Sequence, residues 1–275
     1  MIRDITIGQY YPTNSVIHRL DPRVKLIGTL LYIISLFLFG PSYFVRSILG
    51  YALAATALFT IIKVSKVPFR FILRGLKPVL FLLMFTVVFN IFLTPGEREL
   101  FRWKFIRITD TGLKTAFLMG LRLVLLILGS SLMTFTTTPN QLTDGLERLL
   151  NPLKKIKVPV HEVAMMMSIA LRFIPILLEE TDKIMKAQQA RGADFETGNL
   201  FQRAKAMIPI LVPLFVSAFR RAGDLAMAME ARCYRGGEGR TKMKPLIYQK
   251  KDYTAFIYFI IYLVLVLLLR KLVTV

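Results

Sequence analysis

Cysteine is nearly absent. The 275 residues contain one, Cys233, so no disulfide can form within the chain. Histidine is scarce too: His18 and His161 lie far apart in sequence and make a poor metal set. No Gly-x-x-x-x-Gly-Lys-Ser/Thr occurs, which excludes ATP hydrolysis through the usual phosphate loop. The nearest imitation, Gly236-Gly237-Glu238-Gly239-Arg240-Thr241, lacks the lysine and the spacing, follows no strand, and reads as a flexible connector. The first twenty residues hold no apolar core, so no cleavable signal peptide is visible. Acids are few, 17 against 37 Lys and Arg, for a net charge of +20.

Apolar residues are in excess. Hydrophobic residues make up 55% of the chain and the mean hydropathy is +0.54, which points to a polytopic membrane protein. In a soluble protein +20 would point to nucleic acid. Here the cations cluster beside apolar runs, so they fit the cytoplasmic face of a bilayer and no nucleic acid is expected.

Apolar runs lie at Leu26–Phe39, Ser47–Ile62, Leu76–Thr94, Leu113–Phe135 and Tyr253–Leu269. About 20 helical residues cross the hydrocarbon core. The first two runs are short, so flanking Lys25, Arg46 and Lys63 are expected to snorkel, or the helices to be short. The loop with Lys63, Lys66, Arg70, Arg74 and Lys77 carries no acid and is expected inside. The N-terminus then lies inside as well. The loop with Glu97, Arg98, Glu99, Arg102, Trp103, Lys104, Arg107 and Asp110 lies outside, with Trp103 suited to the interface. Arg122, within the fourth run, is a functional candidate as an intramembrane cation, and the simpler reading has it snorkel outward.

Between Thr136 and Asp252 the pattern changes. Thr138-Pro139-Asn140-Gln141-Leu142 reads as a helix start, followed by a short amphipathic helix with Leu142, Leu146, Leu149 and Leu150 on one face. Asn151-Pro152 ends it, and Pro159 opens a long helix. The stretch Val163–Leu178 is apolar but short. It contains Arg172 and Pro175 and is followed at once by Glu179, Glu180 and Asp182, so it is read as non-spanning. A second long helix has Ala204, Met207, Ile208, Leu211, Phe215, Ala218, Ala222, Leu225 and Met229 on one face, with Pro209 and Pro213 expected to bend it. Five spans are expected; the alternative is seven, with both long helices crossing.

The two long helices end alike, in Ala190-Arg191-Gly192 and Ala231-Arg232-Cys233, and their approaches echo as Ile174-Pro175-Ile176-Leu177 and Ile208-Pro209-Ile210-Leu211. A cation at a helix C-terminus meets unsatisfied carbonyls, and Gly192 suits a left-handed stop. Each Arg is on that ground a good helix stop. Arginine also offers a planar fork for a carboxylate, and small neighbours let such a tip enter a groove on another protein. Met165, Met166 and Met167 on the first helix, with Leu211, Phe215, Ala222, Ala226 and Met229 on the second, are either core filling or a soft surface for an exchangeable partner.

The residues also resemble a known family. Ser15-x-x-His18-Arg19-Leu20-Asp21-Pro22-Arg23-x-Lys25-Leu26 looks like its opening motif. Thr137-Thr138-Pro139, Gly145-Leu146-Glu147 and Leu150-x-Pro152-Leu153 are similar to its next block. Pro159-Val160-His161-Glu162, Ala170-Leu171-Arg172-Phe173-Ile174-Pro175 and Gln189-Ala190-Arg191-Gly192 continue the match, and Ala231-Arg232-Cys233 completes it, with Cys where Gly is common. The chain resembles the transmembrane T component of energy-coupling factor transporters, a family that includes cobalt-uptake permease subunits.

That resemblance implies an all-α polytopic membrane protein. It would have four transmembrane helices in residues 1–136, a cytoplasmic coupling-helix region in 137–252 and a last transmembrane helix in 253–275. It implies a multi-pass plasma-membrane subunit with no catalysis and no cofactor of its own. Two ABC-type ATPase subunits, as a hetero- or homodimer, would bind ATP and Mg²⁺ and receive Arg191 and Arg232. A membrane-embedded S component would bind a vitamin or transition-metal ion. The C-terminus would lie outside. The rival from the residues alone is a stand-alone secondary transporter or channel, which would use paired ionisable residues or broken helices in the spans.

Overall fold

The computed structural model describes residues 10–40, 43–96, 99–103, 106–195, 199–237, 243 and 245–272. The chain is an all-α polytopic membrane protein with one small hairpin among the described residues. Helix α1 (Pro22–Phe37) starts at Asp21, whose carboxylate accepts the Arg23 N–H, and Pro22 takes the first position, where no N–H is needed. Helix α2 (Phe44–Ser65) stops at Lys66 in the left-handed region, φ 58°. A short α3 (Phe69–Arg74) and a 3₁₀ turn lead into α4 (Leu80–Leu93). Strands β1 (Glu99–Trp103) and β2 (Ile106–Thr109) pair antiparallel where the sequence reads as loop. The side chain of Trp103, expected at the interface, lies outside the described residues.

Helix α5 (Asp110–Thr136) is capped by the Thr109 hydroxyl, which accepts the Gly112 N–H. Helix α6 (Pro139–Leu150) begins with reciprocal bonds between Thr138 and Gln141, each accepting the other's backbone N–H on its side chain. The long helices are α7 (Val160–Ala190) and α9 (Ile208–Ala231), separated by α8 (Leu200–Ala206), and α10 (Lys250–Leu272) closes the chain. The second long helix is shorter than its apolar face implies. It breaks at Met207, because Pro209 has no N–H to give and its ring crowds the preceding turn. Pro209 therefore starts α9, whereas Pro175 sits inside α7, so the two approaches are not equivalent in structure.

The chain forms two compact units. One holds Leu146–Pro245; the other holds Gly8–Gly145 with Leu246–Val275. The boundary falls inside α6. In the larger unit α5 packs against α1, α2 and α4. Its core joins Tyr32 and Leu36 of α1, Tyr51 and Leu58 of α2, Leu125 and Phe135 of α5, and Tyr262 and Val266 of α10. Helix α4 buries no side chain of its own, so its apolar surface faces outward, as a lipid-facing helix does.

Five helical stretches are long and apolar enough to cross a membrane: Phe44–Ser65, Phe69–Leu93, Asp110–Thr136, Val160–Ala190 and Lys250–Lys271. The number matches the expectation but the membership differs. Helix α1, with 16 residues, reaches only about 24 Å and falls short of the ~30 Å core. Helix α7 qualifies because it runs unbroken through Pro175 and its charges gather in its second half.

Two cations expected to snorkel, Lys25 and Arg46, are buried instead, and Arg122 is half-buried against protein acceptors. Lys25 is buried, its Nζ donating to Thr136 O at 2.7 Å and His18 O at 3.3 Å. Arg46 is buried with its guanidinium over the Tyr43 ring. Arg122 donates from Nε to the Tyr51 hydroxyl at 2.8 Å and from Nη2 to Phe39 O. Phe39 lies just past the end of α1, and its carbonyl also accepts the Tyr51 hydroxyl at 3.2 Å, so Arg122 and Tyr51 hold the same acceptor. Lys63 is exposed.

Candidate functional site

The two arginine tips share one backbone design. Helix α7 ends at Ala190 and Arg191 caps it, with φ −90° and ψ 6°. Gly192 turns left-handed at φ 88°. Its N–H donates to Gln189 O at 2.9 Å, and the Ala193 N–H donates to Gln188 O at 3.0 Å. Helix α9 repeats this residue for residue. Arg232 caps it with φ −91° and ψ 13°, and Cys233 turns left-handed at φ 54°. The Cys233 N–H donates to Glu230 O at 2.8 Å and the Tyr234 N–H to Met229 O at 3.0 Å. Each stop consumes the last open carbonyls, so the helix ends cleanly and the chain turns away. Both arginines are exposed, and among the described residues neither forms an ion pair.

The two helices pack antiparallel. Gln188 near the end of α7 donates to Pro209 O at the start of α9, 3.4 Å away. Further back, Glu180 accepts from Arg221 at 3.1 Å. Further still, Ile169 and Met229 line one cleft. At the start of α7 the His161 ring lies over Gly237, where any Cβ would overlap it, and His161 Nδ1 meets Glu147 Oε1 at 3.0 Å. The partner number rises as the α7 number falls, so the tips sit at opposite ends of the pair. About 33 Å of helix separates Ile169 from Arg191 at 1.5 Å per residue.

The apolar candidates divide between two faces. Leu211 and Phe215 join Val212, Val216 and Phe219 in an exposed patch on α9. Ala222, Ala226 and Met229 instead border the cleft against Ile169, Phe173 and Leu177 of α7. Met166 and Met167 are exposed, while Met165 is half-buried. Phe219, stacked near Phe215 with ring centroids 5.9 Å apart, was missed in the sequence, though its i,i+4 spacing from Phe215 signals the pair. The Glu180–Arg221 pair was also missed, since nothing local links those positions.

The chain is similar over most of its length to known proteins. The CbiQ family model, described as cobalt transport protein, matches residues 13–243. The energy-coupling factor transporter transmembrane protein EcfT of Clostridium kluyveri is 58% identical over 93% of both chains. The EcfT of Acidaminococcus fermentans is 56% identical over 92% of this chain and 91% of its own. The EcfT of Bacillus subtilis is 48% identical over 98% of this chain and 100% of its own. The chain belongs to the EcfT family.

As an EcfT-family chain it is a transmembrane component of an energy-coupling factor transporter. Its opening motif forms a closed polar knot. The Ser15 hydroxyl meets His18 Nδ1 at 2.7 Å, and His18 Nε2 lies 3.0 Å from Tyr11 O. Arg23 grips Asp21 with both Nε and Nη2, at 3.0 and 2.7 Å, and lies over the Tyr248 ring. Asp252 accepts the N–H groups of Asp21 and Gln249 at 2.8 and 2.7 Å. The knot thus ties the entry to α1 to the entry to α10. Burial pushes the His18 imidazole below its ordinary value, and the nearby Lys25 charge acts in the same direction. Burial alone would raise the Asp21 carboxyl; the hydrogen bonds and charge of Arg23 outweigh it and hold the group low.

Proposed function

We propose that the chain is the mechanical link of its transporter, carrying motion from two ATPase subunits to a substrate-binding S component. The observation that supports this most is the pair of matching arginine tips at opposite ends of one antiparallel helix pair. Two separated tips suit two separate receivers. Each tip presents a planar fork on a rigid helix end, flanked by Ala190 or Ala231, so a groove with a carboxylate can take it closely. The ATPases, not this chain, bind ATP and Mg²⁺, and the chain is non-catalytic. The exposed Leu211–Phe219 patch and Met166–Met167 offer repackable apolar contact to the S component, which selects the vitamin or transition-metal ion.

In this reading the short α1 still crosses, through a locally thinned bilayer, so α1, α2, α4, α5 and α10 make the crossings, the N-terminus and both tips face the cytoplasm, and the C-terminus faces outward. Helix α7 lies along the interface although its composition admits a span. Its partner α9 carries Arg220, Arg221, Asp224 and Glu230, and the Glu180–Arg221 pair binds the two together, so a crossing α7 would carry those charges toward the bilayer.

A detergent pull-down with the host's ATPase pair tests the proposal. The natural chain is expected to capture both ATPases. Arg191→Ala with Arg232→Ala is expected to lose them, since truncating one member of a desolvated pair costs about 2–5 kcal/mol. Lysine at either position rescues poorly, because the fork is lost. Equal capture by natural and double-alanine chains would reduce both arginines to helix stops. No ATPase in either sample, with the chain folded, would favour a stand-alone transporter.

A further inference from the structure

Within the larger unit, α1, α2, α5 and α10 border a cavity of about 410 Å³. Its walls are apolar, built mainly from Val24, Leu58, Ile61, Leu132, Met133 and Phe259. Two glycines keep it open. The tip of the Phe259 ring meets Gly28, where a Cβ would overlap it, and a Cβ at Gly129 would stand 2.6 Å from the Tyr32 ring. A side chain at either position would force the facing ring to move. The volume falls in the ~300–1,000 Å³ range of small-ligand sites. A helix, about 10–12 Å across with its side chains, would need a longer and wider groove.

The charges bordering the cavity have one sign. Lys25 and Lys251 line it, and among the described residues no acid does. Lys25 is 6% exposed, and its ammonium has three hydrogens for the two carbonyls it meets. Lys251 is exposed on the first turn of α10, beside exposed Lys250. The two carboxylates of the region do not line it: Asp252 takes backbone N–H groups and Asp21 is held by Arg23, and both offset the buried Lys25 charge, which leaves Lys251 as the cation free for a head group. The Tyr32 ring lines the same space, and its buried hydroxyl has no hydrogen-bond partner among the described residues. An apolar slot with cations at its edge is complementary to an amphiphile with an apolar tail and an anionic head. A unit whose helices span a bilayer is surrounded by such molecules.

We propose that this cavity holds one acyl chain of an anionic phospholipid, with the phosphate at Lys251. The site does not depend on the coupling role. The test uses the full chain reconstituted in phosphatidylcholine vesicles, with trace phosphatidylglycerol or phosphatidylcholine bearing a photoreactive acyl chain. Phosphatidylglycerol is expected to label the wall at Met133, and phosphatidylcholine to label it far less. Ala255→Trp, or Thr29→Trp, fills the slot and abolishes that label. Lys251→Glu removes the preference for phosphatidylglycerol. An absent label at Met133, or one unchanged by both tryptophans, would overturn the site. Equal labelling of the natural chain by the two lipids would overturn the anionic head, and that comparison stands even if the variants fail to fold.

Discussion

Cys233 and Gly192 occupy the same place in two helix stops, yet only one of them is suited to it. A left-handed φ costs a non-glycine residue about 1 kcal/mol, and Cys233 stands at φ 54°. Cys233→Gly is therefore expected to stabilise the chain by about 1 kcal/mol, read as a higher melting temperature in detergent. Two titrating residues make the opening motif sensitive to acid. His18 is held below its ordinary 6.5, so the fold favours the neutral ring and the unfolded chain takes the proton first. Its stabilising effect is complete above about pH 6.5 and is lost as the pH falls toward the lowered folded value. Asp21 acts in a lower window: its contribution holds above 3.8 and is lost as the pH drops through its depressed folded value. Melting curves between about pH 7.5 and pH 5 are expected to show a falling stability that flattens in His18→Gln. An unchanged slope would remove His18 as the cause.

At the scale of elements, the helix ends were legible and the helix partners were not. Ala190-Arg191-Gly192 announces a stop because Gly and a cation are what a C-terminus needs. Thr138 with Gln141 announces a start for the same local reason. The direction in which α7 and α9 pack depends on contacts such as Glu180 with Arg221, which no local pattern encodes. Lys25 and Arg122 misled for a related reason. A membrane cation is expected to seek water until the fold supplies acceptors, and Thr136 O and Phe39 O appear only once the helices are assembled. The break at Met207 could have been read, since Pro209 forbids a continuous helix there. Arg122 holds the end of α1 through Phe39 O and the Tyr51 hydroxyl, so Arg122→Leu is expected to destabilise the chain by about 1.5–3 kcal/mol. A melting temperature equal to the natural chain's would mean that the Tyr51 hydroxyl, which also donates to Phe39 O, suffices for that carbonyl.

At the scale of the whole molecule, the excess of 37 cations over 17 acids concentrates in stretches such as Lys63–Lys77, between the second and third apolar runs, and in the segment carrying the tips. That asymmetry underlies the orientation proposed above. It was legible in composition, whereas the spanning set was legible only in part: α1 is short, as its apolar run indicated, but α7 is apolar enough to cross. The central claim is that both arginine tips stand in the cytoplasm where ATPases can grip them. The lone cysteine tests it directly, because Cys233 is exposed and adjoins Arg232. A membrane-impermeant maleimide is applied to intact cells and to inside-out vesicles, with and without the bound ATPase pair. The expected result is labelling only in inside-out vesicles and protection by the ATPases. Labelling in intact cells would place the tip outside and contradict the coupling role.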